Sequence, residues 1–249
     1  VAPDGRRRWL RPLWRPEVNA NTLRGQGMTS GYLRRALENA RIELSAATTA
    51  LAGKHQGGEW DRVQRAHARC LELERDLARS LDDECAVDFD WPAPWDAGAP
   101  LPHVLSASGR TVLVYLQREA DPNWDGSYAT VVDPAAPEQR LVAVVEFQHC
   151  LVHRFGAPND EALAGHPLHG RGLVAYRAHT VERSRWLREH ERINSVHRQH
   201  RPEHFRDYVH YVLLFHDETF ECLAKGYRLS ESLSTFAEVL QRCSAELLR

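Results

Sequence analysis

The segment FHDETFE (residues 215–221) places an imidazole, two carboxylates and a hydroxyl between two phenylalanines, and a third carboxylate, Glu221, follows the second phenylalanine. If the strands flanking Asp217 and Glu218 pair as a hairpin, His216 and Glu221 become diagonal neighbours on one face, within side-chain reach. A carboxylate beside an imidazole can fix its tautomer and raise its basicity. The spacing therefore predicts His216 and Glu221 as a candidate catalytic couple, and the alternative is a purely structural pair at a hairpin tip.

The same hairpin register predicts that one face belongs to the protein core. This face pairs Phe215 with Phe220, Leu213 with Cys222 and Tyr211 with Ala224. Every pair on it is apolar or aromatic, so we expect it to be buried. The other face, on which Glu221 stands opposite Leu214, is the one that can carry chemistry.

A second candidate is the long segment FGAPNDEALAGHPLHGRGL (residues 155–173), which is rich in glycine and proline. Loops of this length are uncommon in compact domains and are often functional. Within it, His166, His169 and Arg171 would present two imidazoles and a guanidinium to an anion such as a carboxylate or phosphate. We predict His166 and His169 as catalytic candidates and Arg171 as the ligand-binding residue, and a turn-rich surface loop is the alternative.

Metal binding is a variant of this prediction. Eleven of the fourteen histidines lie between residues 149 and 216, and in this variant His216, Glu221 and one loop histidine hold a divalent metal. The spacing does not support it, because the hairpin supplies two ligands and a zinc or iron site needs a third from elsewhere. The sequence leaves the cofactor unknown.

The pattern along the chain predicts an α+β fold with segregated elements. Apolar residues at alternating steps of three and four predict an antiparallel helical hairpin over residues 28–84. A Pro/Trp-rich linker is predicted over 85–102, followed by an antiparallel β-sheet domain over 103–249. A covering helix, with Ser234 as its N-cap, is expected to close the chain.

Residues 1–27 form a basic leader whose six arginines against two acidic residues give it a net charge of +4. We expect it to be disordered or non-native, since Met28 is the first methionine; a basic arm for an anionic surface is the other interpretation. The whole chain carries −2, which leaves −6 on residues 28–249. Nucleic-acid binding by this main body is therefore not expected.

Composition indicates an ordinary globular protein. The 249 residues are 43% hydrophobic and 27% charged, without an apolar run long enough to span a membrane. Five scattered cysteines without a C-x-x-C pair fit a reducing cytoplasm, and the near-absence of lysine beside abundant arginine is typical of a GC-rich bacterial genome.

Two function classes remain open from the sequence. In the first, a small anionic ligand binds in a pocket of histidine, glutamate and arginine, either for catalysis or for binding alone. In the second, the helical hairpin is a protein-interaction or regulatory surface, through which the chain forms a homodimer or binds a partner. The first predicts that Glu221 and the loop around residues 166–171 converge. The second predicts an apolar stripe along the hairpin that includes Leu33, Leu37 and Leu44.

Overall fold

The computed structural model describes residues 8–10, 29–51, 57–107, 109–119 and 132–249. The α+β class is confirmed: two N-terminal helices precede two antiparallel sheets and a C-terminal helix. In chain order the elements are β1 (Arg8–Leu10), α1 (Ser30–Leu51), α2 (Gly58–Ser80), β2 (Cys85–Asp88), β3 (His103–Ala107), β4 (Arg110–Leu116), β5 (Arg140–Gln148), β6 (Val152–Gly156), β7 (Ala178–Glu182), α3 (Arg185–Asn194), β8 (Val209–Leu214), β9 (Thr219–Ala224), β10 (Gly226–Ser234) and α4 (Phe236–Leu247).

The two sheets pack face to face around the main core. One sheet runs in the order β1-β10-β5-β4-β3 and the other in the order β2-β7-β8-β9-β6. The apolar hairpin face predicted from the sequence lies in this core, where Phe147 of the first sheet contacts Tyr211 and Phe220 of the second. Alternation along β8 and β9 therefore fixes which side chains point inward and which lie on the outer face.

Each sheet has its outer face covered. Helix α4 packs Phe236, Val239 and Cys243 against the first sheet. Its N-cap is Thr235, which forms a capping box with Glu238, rather than the predicted Ser234. The second sheet is covered by the segment between β6 and β7, which inserts leucines into that face, and this cover creates the candidate site.

The hairpin of α1 and α2 packs on itself and on the sheet domain. Leu33 and Leu37 are buried in the α1–α2 seam, and Leu44 is partly buried there. On its other side, α2 pairs Arg79 with Glu182 of β7 at 2.8 Å and Arg75 with Asp88 of β2. Much of the predicted apolar stripe is therefore inside the seam, and the homodimer and interaction-module hypotheses stay predictions.

Two segments differ from their predicted structure. The run 140–155, predicted as one strand, breaks after Gln148 because His149 adopts a positive φ of 49°, and its halves enter different sheets. The predicted linker contributes β2 to the second sheet and places Ala93 and Trp95 in the core. Tryptophan and alanine fill the sandwich there while proline prevents helix formation.

Of the predicted basic leader, residues 8–10 form an edge strand beside β10, and the remainder lies outside the described residues. The proposed domain boundaries remain predictions. Within the described residues, no helix combines the length and the apolar character needed to cross a membrane.

Candidate functional site

The β8–β9 hairpin has a register two residues away from the predicted one. Its turn is centred on His216 and Asp217, with Phe215 N–H donating to the Glu218 carbonyl. Glu221 consequently stands opposite Val212 instead of Leu214. A shift of two residues leaves every side chain on its predicted face but changes its neighbours along the strand. The diagonal imidazole beside Glu221 is therefore His210, so the register that places His216 beside Glu221 is wrong, and the catalytic roles of His216 and Glu221 stay predictions.

Glu221 and His210 form a buried hydrogen-bonded contact on the outer face of the second sheet. His210 Nε2 lies 2.9 Å from Glu221 Oε2, and His210 Nδ1 lies 2.9 Å from Ser184 Oγ. All three residues are buried. Since both imidazole nitrogens have partners, His210 is held in one orientation between the serine and the carboxylate.

The loop between β6 and β7 brings a second imidazole to Glu221. His166 Nε2 lies 3.6 Å from Glu221 Oε1, a distance too long for a hydrogen bond. The Leu168 N–H donates to His166 Nδ1, which places the ring proton of a neutral His166 on Nε2. Among the described residues, this buried Nε2 has no hydrogen-bond partner. Glu221 and the predicted loop thus converge, and the His166 Nε2–H group is the donor that lacks a partner among the described residues.

Buried leucines explain why this loop packs on the outer face of the second sheet. Leu168 and Leu173 are buried against Val212 and Leu214, with Leu163 packed beside them. Burial of each leucine is worth about 1.5–3 kcal/mol, enough to hold glycine-rich chain on a sheet face. The anchor Leu168 directly follows Pro167, so its insertion places His166 at the edge of the Glu221 carboxylate.

The carboxyl group of Glu221 is strongly acidic in this environment. Burial opposes its ionisation, but the interactions with His166 and His210 outweigh burial and lower the pKa to about 2. Glu221 is therefore an anion at neutral pH. It accepts hydrogen bonds and stabilises positive charge, and it does not serve as a proton donor.

Arg154 is the cation that pairs with Glu221 across strands β6 and β9. The two residues are directly opposite each other in the β6–β9 register. Instead of pairing with the carboxylate, the Arg154 guanidinium lies over the Trp186 ring, 4.1 Å from its centroid. Within the described part of the chain, no carboxylate forms an ion pair with Arg154.

These groups surround a cavity of about 180 Å³ that opens to solvent. Its wall includes Arg154, His166, Arg185, Trp186, His210 and Glu221. With Glu84 and Glu189, which also line it, the wall combines an aromatic ring, three carboxylates, two imidazoles and two guanidinium groups. A concave site with a few convergent polar groups is typical of small-molecule sites.

The predicted anion clamp, Arg171, is occupied by carboxylates. It lies 3.2 Å from Asp83 Oδ2 and 3.7 Å from Glu84 Oε1. Arg185 of the cavity wall shares the same two acids, at 2.7 Å from Asp83 and 4.0 Å from Glu84. Arg171 therefore ties the loop to the α2–β2 connection, and Arg154 is the better placed residue for an external anion.

Two further predicted residues lie outside the cavity wall. His216 is in the hairpin turn, where Asp217 at 2.9 Å raises the pKa of the imidazole. The His169 side chain is exposed one turn beyond His166, and only its backbone N–H is bonded, to the His166 carbonyl. The structure brings together Glu221 and His166 but not His216, His169 or Arg171.

A metal site is not supported by the geometry of the described residues. No three of their His, Cys, Asp or Glu side chains are arranged to hold a metal ion. In particular, His210 Nε2, the atom that would bind a metal, is bonded to Glu221 itself. The variant with His216 also fails, because that residue is in the turn.

Ser184, His210 and Glu221 have the composition of a nucleophilic triad but not its arrangement. In such triads serine bonds to Nε2 and the acid to Nδ1, whereas these contacts are reversed here. Ser184 is the N-cap of α3, accepts a hydrogen bond from the Leu187 N–H, and is not part of the cavity wall. We interpret this serine as structural.

Replacing Ser184 by alanine is expected to lower the free energy of unfolding by about 1–2 kcal/mol, because it removes a helix cap and a buried partner of His210. Urea denaturation measures the change. Ser195→Ala, at the exposed end of the same helix, is the control and should cost less than about 0.5 kcal/mol. Equal costs for the two variants would contradict the structural role.

The sequence interpretation missed His210, Arg154 and Trp186. Strand periodicity does place His210 and Glu221 on one face, but only the correct register makes them neighbours. Arg154 can be assigned to the site only when β6 is recognised as a separate strand beside β9.

Comparisons with protein-family models, with curated proteins and with solved structures found no match to this chain.

Proposed function

We propose that this protein binds a small anionic molecule in the cavity above Glu221, with Arg154 as its charged partner and His166 as a hydrogen-bond donor. The observation that carries the proposal is the buried His166 Nε2, which belongs to the cavity wall and lacks a partner among the described residues. Leaving such a donor unsatisfied costs about 1–3 kcal/mol. An acceptor on a bound molecule would remove this cost.

Binding is better supported than acid–base catalysis. Glu221 is held ionised by a pKa of about 2, so it cannot deliver a proton near neutral pH. The Leu168 N–H occupies Nδ1 of His166, and both nitrogens of His210 have partners. The cavity thus offers His166 as a fixed donor, the Glu221 carboxylate as an acceptor and the Arg154 guanidinium, a combination typical of a small-molecule binding site.

Arg154→Gln is expected to weaken ligand binding by about tenfold or more, since charge-assisted hydrogen bonds contribute about 1.5–3 kcal/mol. Isothermal titration calorimetry against acetate, lactate, pyruvate, phosphate and sulfate measures the affinities. Glutamine keeps a polar side chain but ends near the position of the arginine Nε, so it removes the guanidinium that lies over Trp186. Arg188→Gln is the matched control, because Arg188 is exposed on α3 outside the cavity wall.

The control variant should bind within about twofold of the unmodified protein. Equal weakening by Arg154→Gln and Arg188→Gln would indicate a general charge effect and contradict a clamp at Arg154. Failure of every probe to bind the unmodified protein would contradict the proposed function.

A further inference from the structure

Arg154 and Glu221 carry opposite charges and stand opposite each other on neighbouring strands, but their side chains contact other groups. Directly opposite residues on antiparallel strands have Cβ atoms about 4.5–5.5 Å apart, close enough for an arginine and a glutamate to bond. Yet Glu221 turns toward His166 and His210, while the Arg154 guanidinium lies over Trp186. Both side chains line the cavity. The space between them is therefore flanked by one positive and one negative group.

The other charges near the cavity mostly cancel. The carboxylates of Asp83 and Glu84 are matched by the guanidinium groups of Arg171 and Arg185. Glu84 is further fixed by the backbone N–H of Arg185, at 2.7 Å. This local set of two acids and two bases has no net charge to offer a ligand.

The groups left for a ligand are of both signs. Arg154 supplies a cation, and Glu221 Oε1 supplies an anionic acceptor that makes no hydrogen bond within the described residues. Glu189, an exposed residue of the cavity wall, adds a second carboxylate without an ion pair in that part of the chain. A ligand with only a negative group would meet Arg154 but would also face these two acids.

From this separation we infer that the ligand is a small zwitterion of the amino-acid class. This inference rests on the proposed function and specifies its ligand. The ligand carboxylate binds Arg154 and the His166 Nε2–H, and its ammonium group binds Glu221 Oε1, so the ligand completes the ion pair that the two side chains do not make. A cavity of about 180 Å³ that opens to solvent has room for a small amino acid.

Matched pairs of probes test the ammonium group separately from the carboxylate. The pairs are glycine with glycolate, L-alanine with L-lactate, L-serine with L-glycerate, and L-2-aminobutyrate with L-2-hydroxybutyrate. Within each pair an ammonium replaces a hydroxyl and the carboxylate is unchanged. Ligand-observed NMR with competition titrations on the full chain gives the affinity ratio for each pair.

We expect the best amino acid to bind the unmodified protein at least about tenfold more tightly than its hydroxy-acid partner. Glu221→Gln, which retains the shape but removes the charge, should bring this ratio close to one. Glu203→Gln, at an exposed residue outside the cavity wall, should leave it within about threefold of the starting value. Circular dichroism confirms that each variant is folded, and the ratio in the unmodified protein tests the inference without any variant.

The outcomes separate the two proposals. If hydroxy acids bind as tightly as amino acids, the zwitterion inference is overturned while the anionic-ligand function stands. An amino-acid preference that survives Glu221→Gln overturns the assignment of the ammonium to Glu221. If no member of any pair binds, the zwitterion inference is overturned, and if acetate, pyruvate, phosphate and sulfate also fail to bind, the anionic-ligand function is overturned with it.

Discussion

Replacement of Gly172 by alanine is expected to lower the free energy of unfolding by about 3 kcal/mol or more. Gly172 has a φ of +89°, and a Cβ placed there would lie 2.5 Å from the Ala86 carbonyl oxygen and 2.7 Å from Arg75 Nε. The positive φ alone costs about 1 kcal/mol for alanine, and the overlap with backbone forces β2 or the loop to move. Chemical denaturation followed by tryptophan fluorescence measures the loss.

Alanine substitutions at two other glycines of the same loop separate the two causes of this loss, backbone strain and steric overlap. Gly170 also has a positive φ, but its nearest neighbour to a new Cβ is Arg41 Nη2 at 3.6 Å, so Gly170→Ala tests backbone strain alone. Gly165 has neither a positive φ nor any atom within 4 Å. We expect costs in the order Gly172, Gly170, Gly165, and a Gly172→Ala cost no greater than that of Gly165→Ala would contradict the packing described here.

The contacts of Gly172 also affect the candidate site, because they fix the loop that carries His166 to α2 and β2. Its N–H donates to Glu74 of α2, and Arg75 donates to its carbonyl. The Ala86 N–H of β2 donates to the preceding Arg171 carbonyl. The helical hairpin therefore holds the loop that carries His166, and Gly172→Ala should weaken ligand binding as well as folding.

The second large effect concerns acid stability and Glu221. Its pKa is lowered from 4.5 to about 2 in the folded state, so the ionised carboxylate stabilises folding fully above pH 4.5. This contribution is lost as the pH falls from about 4.5 to 2. A shift of this size corresponds to a contribution on the order of 3 kcal/mol.

Glu221→Gln removes this titration, so its free energy of unfolding should fall less steeply than that of the unmodified protein between pH 5 and 2. Urea denaturation at a series of pH values gives both curves. Glu189→Gln should follow the unmodified protein, because Glu189 is exposed and has no ion pair among the described residues. Parallel curves for Glu221→Gln and the unmodified protein would contradict the carboxylate–imidazole cluster.

The fold class follows from patterns that depend on local physics. Apolar spacing predicts the α1–α2 hairpin because a helix must bury one stripe, and alternation predicts the inner face of β8 and β9 because a strand must bury one side. The broken strand at His149 is less predictable. Valine and phenylalanine continue on both sides of it, and only the packing of two sheets determines where the chain crosses between them.

The candidate site was only partly predictable for a similar reason. The hydrophobic pattern cannot distinguish registers that differ by two residues, and the turn of β8–β9 contains no glycine or asparagine to fix its position. The sequence alone therefore places His216 beside Glu221, whereas the register of the structure places His210 there. His166 was identified from loop composition, whereas Leu168, the anchor that brings it to Glu221, has no special signal in a single sequence.

A crystal structure of the protein soaked with the small amino acids and their hydroxy-acid analogues tests the central claim most directly. We predict one bound molecule in the cavity, with its carboxylate within about 3.2 Å of Arg154 and of His166 Nε2. Binding should draw the guanidinium toward the ligand and leave the His210–Glu221 contact intact. A cavity that contains only water at saturating ligand, with Arg154 still over Trp186, would contradict the claim.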